Sequence, residues 1–162
     1  MAKVVQFNAV GGPEQLKLYE LEVAEPGPGE VRIKIKAIGL NRAESLFRSG
    51  TYFEQPVFPA RNGYEAAGFI DAIGPDVTNF AVGDAVSVAP AFSLNDYGFY
   101  ADTALAPVGA VIKHPATLSF DEAAAVWMAY LTAYDALLDT TRVMEGDFVV
   151  IPAASSSVGI AA

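Results

Sequence analysis

The stretch from Glu145 to Ala162, EGDFVVIPAASSSVGIAA, decides our prediction of the fold. Its first three residues form a turn signal, and Phe148–Ile151 is a short apolar run that ends at Pro152. Because this run is rich in β-branched residues, it predicts a buried strand. Small residues follow from Ala153 to Ser157, and Val158–Ala162 resembles the beginning of a helix. A strand, a tight turn and a helix start form the first unit of a dinucleotide-binding fold.

This helix start lies at the end of the sequence, three residues beyond Gly159. A helix of about one turn is marginal, because nucleation costs more than a single turn returns. We therefore expect the chain to be a fragment that carries one domain and the beginning of a second, and that is inactive alone.

Composition and charge exclude several classes of function. The 162 residues are 52% hydrophobic and 18% charged, which indicates a folded chain with a buried core. The net charge of −9 argues against nucleic acid or an anionic membrane as a partner. The N-terminus lacks the apolar region of a signal peptide, and the apolar stretch 123–134 is too short to span a bilayer. We expect a cytoplasmic protein.

Residues 1–118 show short strands separated by frequent turns, a pattern typical of a small barrel or sandwich. In Val31–Ala37, apolar residues alternate with basic ones, which predicts a strand with one buried face. The other strand-like segments are 3–7, 16–23, 64–73, 85–88, 98–106 and 111–113.

Two helices interrupt or follow these strands. Asn41 is a good N-cap for a helix over 42–49, in which we expect Glu44 to face solvent. Ser119 and Glu122 fit a capping box that begins a longer helix from Phe120 to Leu138. We predict a β-rich domain over 1–118, a connecting helix over 119–139 and the start of a dinucleotide-binding domain over 140–162.

Three motifs carry a resemblance to a known family: Gly39-Leu40-Asn41, Arg48-Ser49-Gly50-Thr51-Tyr52, and Gly63-Tyr64-Glu65-Ala66-Ala67-Gly68. Their order and spacing resemble the medium-chain dehydrogenase/reductase superfamily. Zinc alcohol dehydrogenases of that superfamily have Cys at the position of Asn41 and a His-Glu pair at Tyr64-Glu65. This chain more closely resembles the zinc-free quinone oxidoreductase, or zeta-crystallin-like, branch.

The resemblance covers essentially the whole chain and implies its fold class. That fold is mostly β with helices: a GroES-like, partly open β-barrel, then a connecting helix and the first βα unit of a truncated Rossmann domain. It also implies an NAD(P)H-dependent, zinc-independent oxidoreductase that reduces quinones or activated alkenes such as enones by hydride transfer. NADPH is the cofactor expected over NADH, and the full-length protein is expected to be a homo-oligomer, most simply a dimer.

The residues independently argue against a zinc site. Catalytic zinc takes three protein ligands from Cys, His, Asp or Glu, and the chain has no Cys and a single His. That residue, His114, lies in a loop-like Lys-His-Pro context, and we expect it to be exposed.

The resemblance implies catalytic roles for Asn41, Tyr52 and Glu65. Asn41 and Tyr52 would line the pocket beside the nicotinamide and donate hydrogen bonds to the substrate oxygen as charge develops there. Alternatively, Asn41 only caps its helix and Tyr52 only packs on the barrel. For Glu65 the alternatives are a structural ion pair, with an arginine such as Arg42, Arg48 or Arg61, or a role as general acid.

The expected cofactor contacts lie in the last third of the chain. The family places a threonine at Thr132 against the nicotinamide, although a mid-helix threonine often bonds back to the i−4 carbonyl. Aligned on G-x-G-x-x-G, the phosphate turn keeps only Gly159, whose role is close helix packing. The candidate cofactor-binding residues are Thr132, Ala154, Ser155, Ser156, Ser157, Val158 and Gly159.

Two alternative hypotheses of function remain open. The chain could be a non-catalytic binding or self-associating module, because exposed faces of the connecting helix and terminal strand would be apolar. It could also be an alcohol dehydrogenase with an atypical metal site.

Overall fold

A computed structural model describes all 162 residues. The strands, in chain order, are β1 Ala2–Phe7, β2 Lys17–Leu21, β3 Glu30–Ile38, β4 Ala60–Arg61, β5 Ala66–Ile73, β6 Ala85–Val88, β7 Thr103–Pro107 and β8 Val111–Lys113. The α-helices are α1 Arg42–Arg48, α2 Phe120–Ala125, α3 Trp127–Tyr134 and α4 Ser157–Ala161. A π-helical segment, Asp135–Thr140, follows α3, and two 3₁₀ turns lie at Pro13–Gln15 and Val108–Ala110. None of these helices is both long enough and apolar enough to cross a membrane.

The strands form two open antiparallel sheets, so the prediction of a mostly β, partly open GroES-like architecture is confirmed. The larger sheet has the order β7-β3-β5-β6-β8, and the smaller one has the order β2-β1-β4. Along β3, Val31 and Ile33 are fully buried, as the alternating pattern predicts. The pairing of β3 with β5 shifts register twice, and Gly68 permits the close approach, because a Cβ there would lie 2.1 Å from the Lys34 carbonyl oxygen.

Two apolar clusters fill the β-rich part. The larger one lies on the five-stranded sheet and includes Val31, Ile33, Ile70 and Phe99. The smaller one joins α1 to the three-stranded sheet and consists of Phe7, Phe47, Ala60, Tyr64 and Leu94. Tyr52 and Met128 pack on this second cluster, which we call the α1 cluster. It therefore brings the segment after α1 and the start of α3 to the same side of the molecule.

Helix α1 begins after Asn41, as predicted, and Gly50 follows it with a left-handed φ of +72°. The expectation that Glu44 faces solvent is wrong, because its side chain is 1% exposed. Besides the capping bond from the Asn41 N–H, Glu44 accepts from the Tyr64 N–H and the Tyr100 hydroxyl, and these two donors hold its side chain in the interior.

The connecting helix is not continuous from Phe120 to Leu138, contrary to the prediction. The Ser119–Glu122 capping box is present, but the helix breaks at Val126. At the break, the Met128 N–H donates to the Glu65 carboxyl at 2.8 Å rather than to the carbonyl four residues earlier, so the helical hydrogen bond is replaced by a tertiary one. Beyond Tyr134 the chain winds as a π-helix to Thr140.

The predicted terminal strand is also not formed. Phe148–Ile151 has no strand assignment, and the side chains of Phe148 and Val150 are 98% and 88% exposed. No other strand of the chain lies alongside this run, so its backbone has no ladder partner. The predicted helix start is confirmed: Ser156 caps α4, and its hydroxyl accepts from the Gly159 N–H at 3.1 Å.

Candidate active site

The side chains of Asn41 and Glu65 meet at the centre of the candidate site. Asn41 Nδ2 donates to Glu65 Oε1 at 2.7 Å, and Glu65 Oε2 accepts from the Met128 N–H at 2.8 Å. The loop before α1, the residue before β5 and the first turn of α3 thus converge on one carboxyl group that is 1% exposed. Gly39 makes this possible, because a Cβ there would lie 2.3 Å from the Ala124 carbonyl oxygen and 2.9 Å from the Glu65 side chain.

The expected arginine partner of Glu65 is not there. The salt bridges of the structure join Arg32 to Glu25 and Asp71, and Lys113 to Asp84. Glu65 is instead bonded by two neutral donors, an amide side chain and a backbone N–H. A buried carboxyl is tolerated when its oxygens accept hydrogen bonds, and here both do.

Thr132 is joined to the same centre through the backbone of Met128. Its Oγ1 donates to the Met128 carbonyl oxygen at 2.6 Å, which is the i−4 bond that a mid-helix threonine commonly makes. Three of the predicted site residues, Asn41, Glu65 and Thr132, therefore belong to one hydrogen-bonded chain. Because the Thr132 proton is used within the helix, its oxygen remains as an acceptor.

Tyr52 lies on the α1 cluster next to Tyr64. The hydroxyl of Tyr64 donates to that of Tyr52 at 3.5 Å, a long bond, and the two rings pack edge to face at 6.4 Å. Burial, and next the bond to Tyr52, raise the pKa of Tyr64 well above that of a free phenol, so Tyr64 keeps its proton. The proton of Tyr52 is then free for another acceptor.

The segment that carries Tyr52 is held by Asn95, which the sequence analysis missed. Asn95 Oδ1 accepts from the Val57 N–H at 2.8 Å, and Nδ2 donates to the Gln55 carbonyl and to Glu54 Oε1, each at 3.0 Å. These partners lie about 40 residues away in sequence, and no local motif marks the contact.

Glu44 also lies within the site, although the sequence predicts that it faces solvent. Besides the Asn41 N–H at 2.7 Å, its carboxyl accepts from the Tyr64 N–H at 2.8 Å and the Tyr100 hydroxyl at 2.6 Å. Burial raises the pKa of Glu44, and these hydrogen bonds only partly oppose the rise. The Asn-x-x-Glu spacing was a usable signal for the capping bond, though not for burial.

The turn that begins at Ala154 is exposed through Ser157, and Val158 and Gly159, which follow it, are half-buried. The N–H groups of Ala154, Ser155, Ser157 and Val158 donate no hydrogen bond within the chain. Gly159 packs against the turn itself, because a Cβ there would lie 2.8 Å from the Ala153 carbonyl oxygen and from the Ala154 Cα. Free backbone donors on a turn of small residues fit a pyrophosphate.

No three His, Asp or Glu side chains come together in an arrangement that could hold a metal ion. His114 is half-buried rather than exposed: its Nδ1 lies 3.0 Å from Ser87 Oγ, and its ring packs edge to face on Phe120. The ring is thereby used in the contact between β6 and the start of α2.

Comparisons with known proteins found a family and several relatives to which the chain is similar. Residues 27–116 match the family described as the alcohol dehydrogenase GroES-like domain. The chain is 38% identical to a Pseudomonas aeruginosa quinone oxidoreductase over 160 residues, which is 99% of this chain and 48% of that protein. The chain thus spans about half the length of the curated relatives it matches.

Solved structures show the same relationship. A human synaptic vesicle membrane protein VAT-1 homolog-like protein has a TM-score of 0.91 and 33% identity, covering 99% of this chain and 51% of that one. An Escherichia coli quinone oxidoreductase solved with NADPH has a TM-score of 0.75 and 30% identity, covering 85% of this chain and 41% of that one.

Proposed function

Because this chain belongs to the alcohol dehydrogenase GroES-like domain family, in the quinone oxidoreductase branch of the medium-chain dehydrogenase/reductase superfamily, we propose that it forms the substrate side of an NADPH-dependent reductase of quinones or activated alkenes. The observation that carries the proposal is the convergence of Asn41, Glu65 and Thr132 through Met128. Tyr52 packs on the α1 cluster, which Met128 also contacts. The relatives that are quinone oxidoreductases, one of them solved with NADPH, support the same reaction class.

In this proposal, Asn41 and Tyr52 bind the carbonyl oxygen of the substrate. One amide hydrogen of Asn41 is held by Glu65, and the other is free to donate. Tyr52 can donate its proton, because its oxygen already accepts from Tyr64. As the substrate gains electrons, negative charge develops on that oxygen, and two fixed donors stabilise it more than water would. Glu65 acts by orienting Asn41.

NADPH, when bound, supplies the hydride, and the proton that completes the reduction comes from water. The turn over 154–159 would hold its pyrophosphate through free backbone N–H groups. Thr132 would contact the nicotinamide through its remaining acceptor capacity. We propose that no zinc takes part, since neutral donors at Asn41 and Tyr52 replace the Lewis acid.

We propose that the chain has three segments, with the boundaries predicted from the sequence. Residues 1–118 form the GroES-like catalytic domain, 119–139 the connecting helix and 140–162 the first part of a Rossmann domain. The break at Val126 lies within the connecting segment, directly where Met128 contacts Glu65. We propose a homodimer for the complete enzyme.

Quinone binding to the purified chain tests the site directly. The single tryptophan, Trp127, precedes Met128, so a quinone near Asn41 should quench its fluorescence. With 1,4-naphthoquinone as the probe, Asn41→Ala and Tyr52→Phe should each weaken binding about tenfold, as expected for the loss of one hydrogen bond.

The control is another amide–phenol pair on the surface, Asn8 and Tyr19, whose side chains are 3.2 Å apart. Asn8→Ala and Tyr19→Phe should leave quenching unchanged. Where NADPH oxidation is measurable, Asn41→Ala should lower kcat about 100-fold, the typical effect of removing one donor to a developing oxyanion. Equal quinone affinity in all four variants would refute the site.

A second candidate function, a self-associating module, is favoured by one observation. Exposed apolar side chains cluster on α3 and the segments that follow it, where a groove of about 350 Å³ is lined by Tyr130, Ala133, Tyr134, Leu137, Leu138, Ala161 and Ala162. Self-association should appear as a concentration-dependent mass in sedimentation equilibrium, and Tyr134→Lys should abolish it. A constant monomer mass would remove this candidate.

A further inference from the structure

Glu44 does more than a capping-box carboxyl requires. Such a residue normally stays at the surface and accepts only from the N-cap residue, as Glu122 does from the N–H and the hydroxyl of Ser119 at the start of α2. Glu44 has the same sequence relation to Asn41, yet it is buried and accepts two further hydrogen bonds, from Tyr64 and Tyr100.

The two oxygens of Glu44 are divided between the two sides of the site. Oε2 accepts from the backbone N–H of Asn41, and Oε1 accepts from the backbone N–H of Tyr64, the residue before Glu65. The side chains of Asn41 and Glu65 then meet at 2.7 Å. One carboxyl group thus fixes the backbone on both sides of that contact, while the Tyr100 hydroxyl holds the carboxyl from a third segment.

We propose that Glu44 is the positioning residue that sets the Asn41 amide against Glu65 in the proposed active site. The importance of this contact for turnover rests on the proposed function, but the contact itself is measurable without substrate. Tyr100 supports the arrangement as a donor: burial, and next its bond to Glu44, raise the pKa of its phenol, so it keeps its proton.

The test is hydrogen exchange of the Asn41 side-chain amide, measured by NMR in the complete chain at one pH. Glu44→Gln keeps the size of the side chain but presents an NH₂ group where an acceptor is needed. The Asn41 amide should therefore exchange about tenfold faster or more, as expected when a bond to a buried acceptor is lost. Glu122→Gln, the same change in the exposed capping box, should leave Asn41 exchange within twofold of the wild-type rate.

Three results would overturn the inference. They are unchanged Asn41 exchange in a folded Glu44→Gln variant, a uniform acceleration over the whole chain, and an equal effect of Glu122→Gln. If Glu44→Gln does not fold, Glu44→Asp decides in the same way, because it keeps the carboxyl but is too short to reach both backbone donors.

Quinone binding separates this inference from the proposed function. Faster Asn41 exchange with about tenfold weaker binding of 1,4-naphthoquinone supports both. Faster exchange in a protein whose wild-type form binds no quinone supports the positioning role and contradicts the proposed function. Unchanged exchange overturns the positioning role whatever the quinone result.

Discussion

Replacing Glu65 with alanine should both destabilise the protein and repair the break between α2 and α3. The carboxyl accepts from the Asn41 amide and the Met128 N–H, and the variant leaves both donors without it. A buried donor without a partner costs about 1–3 kcal/mol. The Asn41 amide is half-buried, so water can reach it, whereas Met128 can return its N–H to the Ala124 carbonyl.

Because both donors can find other partners, we expect a loss toward the lower end for each of them, and a total of about 2–4 kcal/mol when the lost packing of the side chain is included. For a chain of this size, such a loss lowers Tm by roughly 5–15 °C. Urea unfolding followed by Trp127 fluorescence measures the free energy, and NMR hydrogen exchange of the Met128 amide reports the helix. We expect the Met128 N–H to become bonded to Ala124 in Glu65→Ala.

Glu65→Gln is the matched variant, because its side-chain oxygen can still accept one of the two bonds and preserves the volume. It should lose less stability than Glu65→Ala and keep the helix break if the oxygen faces Met128. A helix that remains broken at Val126 in Glu65→Ala would refute the reasoning, since the break would then have a cause other than the carboxyl.

Three further predictions concern other parts of the chain. Burial raises the pKa of Glu44 in the folded chain above its ordinary value of 4.5. Its contribution to folding stability is therefore full below that ordinary pKa and is lost as pH rises through the raised pKa. In urea unfolding at a series of pH values, the free energy of unfolding of the wild type should fall relative to that of Glu44→Gln over this window. Gly159→Val should abolish NADPH binding in calorimetry without changing Tm, because the added side chain meets the Ala153 carbonyl oxygen in the turn. The control, Gly109→Ala, should change neither NADPH binding nor Tm, because a Cβ there meets nothing within 4 Å. Retained binding in Gly159→Val would contradict the role of the turn. Asn95→Ala should free the segment around Tyr52 and raise its crystallographic B-factors and proteolysis rate, while Asn8→Ala should not; equal proteolysis of the two variants would show that Asn95 does not hold the segment.

Local patterns in the sequence predicted much of the fold correctly. The alternation over Val31–Ala37 identified a half-buried strand, and Asn41 and Ser119 identified two helix starts. These features succeed because their causes lie within a few residues: side-chain period, capping hydrogen bonds and turn residues.

The failures arose where a distant residue replaces a local partner. Glu65, 63 residues away in sequence, accepts the hydrogen bond of the Met128 N–H, and the helix breaks there although its composition favours continuity. Tyr64 and Tyr100 draw Glu44 into the interior although its own helix would leave it exposed. Phe148–Ile151 has a strand composition but no strand beside it, and composition alone does not supply one.

The candidate site was likewise predicted in part. The motif comparison selected Asn41, Glu65 and Thr132, which the structure links through Met128. It missed Asn95, whose partners are distant in sequence. One of its two alternatives for Glu65 was an ion pair with an arginine, whereas both partners in the structure are neutral donors. A backbone N–H as partner leaves no trace in the amino-acid sequence.

Because of the break at Val126, α3 is a separate rigid segment whose first turn lies at the proposed substrate site. Its first turn is attached to Glu65, and its eight residues extend about 12 Å at 1.5 Å per residue. A rotation of about 10° at this first turn moves the far end by about 2 Å, as this length dictates. A ligand that displaces the Glu65 carboxyl would thus shift Tyr134 and the π-helical segment, and α4, which packs against α3, would move with them. The carboxyl that we propose to orient Asn41 also fixes the direction in which the rest of the chain leaves the β-rich domain.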